Sequence, residues 1–212
     1  MMRINNYTPS FGAVYHSTLN ANKYCENTKT YEPTEINCLK YDKNNPNDIK
    51  ALIKLCRLWI GGKEYYKTIT DDILRQKGQG IYDNDLDIFI LTTQKDDFEK
   101  LDEKQICGLS EVERLTESRN IVDYIEINPQ YTHSKKSQWL GLGRALIDNI
   151  KKLDKEFVLE ADDDVIEFYE KNGLEKILPN EKMYEELSRE ECITEPLNLL
   201  YWSPEFEEET KN

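Results

Sequence analysis

The sequence predicts an α/β (α+β) fold: a mixed central sheet flanked by helices, with an irregular N-terminal arm. Three strand-like runs follow one another with short connections, as in an antiparallel meander. A second half then reads strand, glycine loop, helix, strand, helix. We therefore expect an arm over residues 1–46, a folded domain over residues 47–204 and an acidic tail over residues 205–212.

Composition limits the classes of partner. The 212 residues include 41 acidic and 28 basic side chains, which gives a formal net charge of −13. Such a surface disfavours proteins that grip nucleic acid through its phosphates and favours cationic partners. No run approaches the roughly 18 apolar residues of a membrane span. The start of the chain lacks the apolar core of a signal peptide, so we expect a cytoplasmic protein with no membrane partner.

The cysteine and histidine usage indicates no metal centre. The five cysteines are scattered without a CxxC pair, and the chain has two histidines, His16 and His133. We expect reduced, mainly structural thiols and no bound metal.

The first half of the chain is predicted to contain an irregular segment, two helices and three strands. Residues 1–46 are rich in Asn, Thr and Tyr and show no sustained periodicity, which indicates irregular structure. A helix is predicted to begin at Pro46 and to end at Gly61-Gly62, and a second to begin at Thr70. The following strands are predicted at Leu86–Thr93, Ile106–Leu115 and Ile121–Ile127.

The second half has stronger local signals. Gly141-Leu142-Gly143 opens a predicted helix in which apolar residues share one face: Leu142, Leu146, Ile150 and Leu153. Phe157–Leu159 reads as a short buried strand. Asp162, Asp163 and Asp164 are predicted to start a helix that Asn172-Gly173 terminates. A last strand is predicted over Leu197–Trp202, before a solvated acidic run. Its residues Leu199–Trp202 could form a dimer seam or an internal edge.

The loop Gln138-x-x-Gly141-x-Gly143 stands directly before a helix. Glycines let the backbone approach a ligand, and the helix start points unpaired N–H groups and a partial positive charge at it. This is the chemistry of a pyrophosphate cradle, although the same pattern also occurs as a tight turn. No Gly-Lys-Ser/Thr follows, which excludes a Walker loop, and no βαβ repeat supports a dinucleotide-binding reading.

Residues 121–177 carry two motifs in a recognisable order. The first is the strand Tyr124–Pro129 followed by Gln138-Trp139-Leu140-Gly141-Leu142-Gly143. The second, about 25 residues later, is Phe168-Tyr169-Glu170-Lys171-Asn172-Gly173-Leu174. Together they resemble the GCN5-related N-acetyltransferase (GNAT) family, whose Gln/Arg-x-x-Gly-x-Gly/Ala loop holds the pyrophosphate of acetyl-coenzyme A. The resemblance implies the GNAT fold, in which the strand before the loop splays from its neighbour and opens a slot for pantetheine.

The resemblance also implies a set of site residues. The cofactor-binding positions would be Ile127, Asn128, Gln138, Leu140, Gly141, Leu142, Gly143, Arg144 and Asp162. Tyr169 would protonate the departing thiolate, and backbone N–H groups near Ile127 and Asn128 would meet the oxyanion. Asp162 stands where the family often has Asn, and about six extra residues precede the loop.

Transfer of the acyl group requires a neutral amine, while a lysine-like amine has a pKa of about 10.4. A carboxylate near the acceptor can remove that proton, often through water. Glu126 is the leading candidate because it lies beside the predicted carbonyl-binding backbone. Asp123, Glu111 and Glu113 remain open as alternatives, with His133 as a remote one.

Two main hypotheses follow. The first is an acetyl-coenzyme A-dependent N-acetyltransferase acting on a primary amine of a small molecule or peptide, with a cationic acceptor favoured. The alternative is a catalytically silent GNAT-fold module that binds acyl-coenzyme A or another protein. A third reading makes the Tyr-rich arm a partner-binding element. Substrate, acyl-chain length and oligomeric state are left open.

Overall fold

The structure is a computed structural model, and it describes residues 13–41, 86–96, 98, 102–132, 138–178, 181–190 and 198–206. The helices predicted at Pro46 and Thr70 lie outside these residues. So do His133 and the end of the acidic tail after residue 206.

One mixed sheet dominates the described part of the chain. Its strands are β1 Val14–Cys25, β2 Thr30–Lys40, β3 Leu86–Thr92, β4 Ile106–Arg114, β5 Arg119–Ile127, β6 Trp139–Leu140, β7 Glu156–Glu160, β8 Glu175–Lys176 and β9 Leu199–Trp202. They lie in the order β6-β1-β2-β3-β4-β5-β7-β9-β8. Strands β5 and β7 are parallel, and the other neighbouring pairs are antiparallel. The predicted meander and mixed sheet are confirmed.

Helices complete the architecture. Their bounds are α1 Pro129–Thr132, α2 Leu142–Lys151, α3 Ile166–Lys171 and α4 Lys182–Glu190. The apolar side of α2 contributes Leu146, Ile147 and Ile150 to a core that also contains Phe89 and Leu159. The predicted helix after the glycine loop is confirmed, while α1 and α4 were not foreseen. No described helix is long and apolar enough to cross a membrane.

Strand β3 shows why a continuous apolar run marks a central strand. Ile88, Phe89, Ile90 and Leu91 are all buried. The strand lies between β2 and β4, with side chains packed on both of its faces. The alternation of apolar and polar residues that marks a strand with one solvated face is therefore absent from β3.

The N-terminal segment differs from the prediction. Residues 14–40 form a hairpin in which β1 pairs with β2 along their full length, so the irregular arm predicted for them is wrong. The turn closes with Lys29 N–H donating to the Cys25 carbonyl at 2.8 Å. The sheet thus begins before residue 47, the predicted domain start. Residues 1–12 and 42–46 of the predicted arm lie outside the described residues.

The reason for the error is the small number of buried side chains in this hairpin. Strand β2 pairs with β3 only through Asn37–Lys40. Seven earlier residues of β2 therefore project beyond β3 by roughly 23 Å, at about 3.3 Å per residue. In this overhang only Leu19, Ala21 and Ile36 are buried. The alternation of apolar and polar residues is too short there to be recognised in the sequence, although the Thr and Tyr content is typical of a strand.

The last strand lies inside the sheet. Strand β9 pairs with β7 on one side and β8 on the other, and Leu200 is fully buried. Leu199–Trp202 is therefore an internal strand of the described sheet, while Leu197 lies outside the described residues. Phe206, at the start of the acidic run, lies edge-on to Tyr201 with ring centroids 5.6 Å apart.

The hairpin can be tested through its thiols. Hydrogen bonds from the side chain and backbone of Thr28, and from the backbone of Asn27, lower the pKa of Cys25, whereas burial raises the pKa of Cys38 and Cys107 to about 12. At pH 7.5 Cys25 therefore carries the larger thiolate fraction, and thiolate is the reactive form. We expect iodoacetamide to label Cys25 well before Cys38 and Cys107 in peptide mass spectra of the native protein. Equal labelling of Cys38 would contradict a folded hairpin.

Candidate active site

Strand β5 parts from β7 halfway along its length. The parallel ladder joins Arg119–Val122 to residues 156–159 and goes no further. On its other side β5 stays paired with β4 to Ile127, but the register shifts between Glu111 and Val112. The shift places Asp123 as an extra residue in β5, a β-bulge, which bends and twists the strand. A slot therefore opens between the second half of β5 and the end of β7, as expected from the resemblance.

The peptide groups that face this slot can be identified from the ladder. The N–H of Asn128 donates to the Cys107 carbonyl at 2.9 Å. Because N–H directions alternate along a strand, Ile125 and Ile127 point their N–H and C=O groups away from β4, towards the slot. These groups can pair with an extended ligand in the way that an added strand would.

Asn128 has a different place from the one predicted. Its backbone N–H is committed to Cys107, and its side-chain Nδ2 donates to the Ile106 carbonyl at 2.8 Å. The side chain is buried. Asn128 therefore fastens the end of β5 to β4, and its N–H is not directed at a ligand.

The glycine loop ends in an open helix terminus. Gly141 is the N-cap of α2 with φ +82°, and no side chain of the described residues caps it. Its carbonyl accepts the N–H of Ala145 at 2.9 Å. The N–H groups of Leu142, Gly143 and Arg144 precede the first intrahelical bond, so they remain to bind an anion.

The two glycines of the loop are required for different reasons. A Cβ on Gly141 would meet nothing within 4 Å, so what restricts this position is its left-handed backbone. A Cβ on Gly143 would lie 3.0 Å from Cζ of Phe168. The absence of a side chain at Gly143 thus lets α2 and α3, and with them the two sequence motifs, pack together.

The other predicted cofactor-binding positions of the loop differ in how exposed their side chains are. Leu142 is buried in the core, so only its peptide group can face a ligand. Leu140 and Gln138 are exposed. Arg144 is also exposed and lies beside Asp148, with Nε 3.8 Å from Oδ2.

The charges of two carboxylates act on Tyr169: Asp162, which follows β7, and Glu126, which lies on β5. Burial raises the pKa of Tyr169 above its usual value, and the negative charges of Asp162 and Glu126 raise it further. The phenol therefore keeps its proton at neutral pH. Asp162, at the end of β7, also contributes to a raised pKa at Glu160, which comes mainly from burial.

The other candidates for the general base occupy different positions in the strand register. Glu111 lies opposite Tyr124 on β4, is 2% exposed and is one diagonal step from Glu126. Glu113 is half-buried opposite Ile121, and Asp123 is exposed at the bulge. Ile125 and Ile127 pack towards α2, so Tyr124 and Glu126 lie on the other face of the sheet, with Glu111. Among the described residues, no group of three His, Cys, Asp or Glu is arranged to hold a metal ion.

Sequence reasoning missed the contribution of the hairpin. Residues 139 and 140 pair with Lys23 and Asn22 of β1, and the N–H of Tyr24 donates to the Gln138 carbonyl at 2.8 Å. The Lys23 ammonium lies 5.6 Å from the ring centroid of Trp139. The glycine loop is thus fastened at its start to the N-terminal hairpin. The Tyr and Thr content of residues 14–40 was the available signal.

We expect Gly143→Ala to lower the melting temperature because its methyl group would overlap the Phe168 ring. Overpacking of this kind costs about 1–3 kcal/mol. For a chain of this size that corresponds to roughly 2–12 °C, at about 2–4 °C per kcal/mol. The decrease should shrink when Phe168→Leu is added, as measured by a double-mutant cycle in thermal melts.

Gly141→Ala is the matched control for that cycle. Its cost comes from the left-handed backbone, so Phe168→Leu should leave it unchanged. Additive effects of Gly143→Ala and Phe168→Leu would contradict the contact.

Comparison with known proteins adds structural likenesses of low sequence identity. Neither a protein-family model nor a curated protein matches the chain. An acetyltransferase of the GNAT family from Staphylococcus aureus is similar at 16% identity, with a TM-score of 0.47, over 79% of this chain and 98% of that one.

Two further solved structures are similar over most of their length. The Bacillus subtilis N-acetyltransferase YlbP, in complex with coenzyme A, is 12% identical over 73% of this chain and 91% of that one, with a TM-score of 0.43. A spermidine N-acetyltransferase chimera from Vibrio cholerae and hSSAT is 14% identical over 68% and 82%, also with a TM-score of 0.43. By its own strand order and helices, the chain has the mixed sheet flanked by helices that its sequence predicts.

Proposed function

We propose that the protein is an N-acetyltransferase that transfers an acetyl group from acetyl-coenzyme A to a primary amine of a small molecule or peptide. The observation that carries this proposal is the combination of three features. A helix terminus that no side chain of the described residues caps follows the glycine loop, peptide groups of β5 point away from β4 where the ladder with β7 has ended, and the charge of Glu126 acts on Tyr169.

In this proposal the coenzyme lies along the slot. Its pyrophosphate accepts hydrogen bonds from the N–H groups of Leu142, Gly143 and Arg144, and the side chain of Gln138 is close enough in sequence to add another. The amide groups of the pantetheine arm pair with the backbone of Ile125 and Ile127, with Asp162 and Leu140 at its sides. These assignments rest on backbone geometry, which needs no net positive charge on the protein.

The reaction then runs as follows. Glu126 accepts a proton from the acceptor ammonium, directly or through water, and the neutral nitrogen attacks the thioester carbonyl carbon. Negative charge on the carbonyl oxygen is met by a backbone N–H of β5. As the carbon–sulfur bond breaks, Tyr169 gives its proton to the thiolate. The acylated nitrogen loses its second proton to the Tyr169 phenolate, and Glu126 releases the first proton to solvent. The products are an N-acetylated amine and free coenzyme A.

A cationic acceptor suits the charge of this region. Glu111 on β4 and Glu126 on β5 lie on one face of the sheet, and the chain carries a net charge of −13. Carboxylates near the acceptor would attract an ammonium group and then assist its deprotonation. We therefore propose small amines or polyamines, or a basic peptide amine, as the acceptor class.

The coenzyme site can be tested with a matched pair of variants at Gly141. Asn and Asp both tolerate a left-handed backbone and cap helices, so both variants should stay folded. We expect Gly141→Asp to abolish the thermal stabilisation by acetyl-coenzyme A, because its carboxylate repels the pyrophosphate, while Gly141→Asn retains most of it. The expected stabilisation of the unmodified protein is about 2.7 kcal/mol at a hundredfold excess over Kd. No shift in the unmodified protein at millimolar coenzyme would refute the proposal.

The acid can be tested through Tyr169→Phe. We expect kcat with a panel of primary amines to fall roughly 10²–10⁴-fold, the usual contribution of a positioned proton donor, with coenzyme affinity unchanged. Since burial and two nearby carboxylates raise the pKa of Tyr169 above its usual value, the phenol stays protonated through neutral pH and loses its proton only in strongly basic solution. Any loss of activity between pH 7 and 9 should therefore persist in Tyr169→Phe. Coenzyme binding without turnover of any amine by the unmodified protein would favour the silent binding module instead.

A further inference from the structure

The overhang of the hairpin lies at the same end of the sheet as the glycine loop. Asn37 pairs with Thr92 at the end of β3, and Gly108 pairs with Ile127 at the end of β5. The overhang therefore extends past the edge where β5 ends. There Leu19, Ala21 and Ile36 share one core with Trp139 and Leu142, which holds the hairpin against the start of α2.

Beyond that contact the hairpin tip, residues 24–31, borders a cleft. Tyr24, Glu26, Lys29 and Gln138 line it, and its volume is about 420 Å³. That volume falls in the range of roughly 300–1,000 Å³ typical of small-molecule sites. Gln138 is the first residue of the glycine loop, so the cleft directly adjoins the cradle proposed for the pyrophosphate.

The chemistry of the cleft suits a nucleotide. Tyr24 and Tyr31 form an edge-to-face pair across the hairpin, with ring centroids 5.3 Å apart. An aromatic ring held in this way offers a surface on which a base can stack. Lys29 supplies a cation for a phosphate, while Glu26 is an acceptor suited to the exocyclic amine of a purine and unfavourable to a second phosphate.

We propose that the hairpin tip binds the nucleotide end of acyl-coenzyme A in this cleft, an inference that rests on the proposed function. The purine stacks against Tyr24 with its amine towards Glu26, and the ribose 3′-phosphate meets Lys29. The pyrophosphate then passes Gln138 to the start of α2. In this arrangement the N-terminal hairpin is part of the coenzyme site and not an accessory arm.

The test compares coenzyme A with dephospho-coenzyme A, which lacks the 3′-phosphate, by isothermal titration calorimetry on the full chain. We expect Lys29→Glu to weaken coenzyme A roughly tenfold or more and to remove the preference for coenzyme A over its dephospho form. Tyr24→Ala should weaken both ligands by a similar factor, roughly tenfold, because stacking does not involve the phosphate. Neither change removes a buried contact of the core, and thermal melts without ligand verify folding.

Lys155→Glu is the matched control, since it makes the same charge change at the opposite end of the sheet, beside Arg114 and Asn120. It should leave the preference between the two ligands unchanged. If the unmodified protein binds coenzyme A and the Lys29→Glu and Tyr24→Ala variants bind it equally well, the hairpin inference is wrong while the proposed function stands. If the unmodified protein binds neither ligand, both are wrong. Should Lys29→Glu fold poorly, Lys29→Gln carries the same expectation with a smaller effect.

Discussion

The constraint on which the site depends is the change of partner orientation at β5. This strand is antiparallel to β4 and parallel to β7, and it stays with β4 after it leaves β7. The extra residue at Asp123 turns the strand, and the side-chain amide of Asn128 holds its far end to β4. Backbone groups that would complete a sheet are thereby directed into a slot. The ladder between β5 and β7 ends early, and backbone hydrogen-bonding groups of β5 border the gap that results.

The local elements of this fold can be predicted from sequence because strands and helices each have a characteristic spacing of apolar residues. The buried run Ile88–Leu91 marks a central strand, and the spacing of Leu142, Leu146 and Ile150 marks one face of a helix. The glycine loop and the Phe168-Tyr169 motif indicate the kind of site. Each signal is carried by residues close together in the chain, so a short window is enough to detect it.

The parts that were missed depend on pairing between distant segments. The bulge at Asp123 and the burial of Glu111 follow from register, which no single strand encodes. The hairpin was missed because its overhang buries few side chains, and the role of Gly143 appears only when Phe168 is seen against it. The sequence also predicted a backbone donor at Asn128. Because N–H directions alternate along β5, the N–H of the neighbouring Ile127 points towards the slot and that of Asn128 does not. A shift of one residue along a strand reverses the side to which its N–H and C=O groups point.

The attachment of the glycine loop to β1 also has a consequence for folding kinetics. Ser17 of β1 donates to Asn149 of α2 at 2.9 Å across 132 positions of sequence, and Tyr24 reaches Gln138 over a similar span. Contacts of such high sequence separation close large loops and slow the search for the native state. On the ribosome the hairpin emerges early but acquires its docking partner only after much of the chain has followed. The mature conformation of the cradle should therefore be among the last features to form.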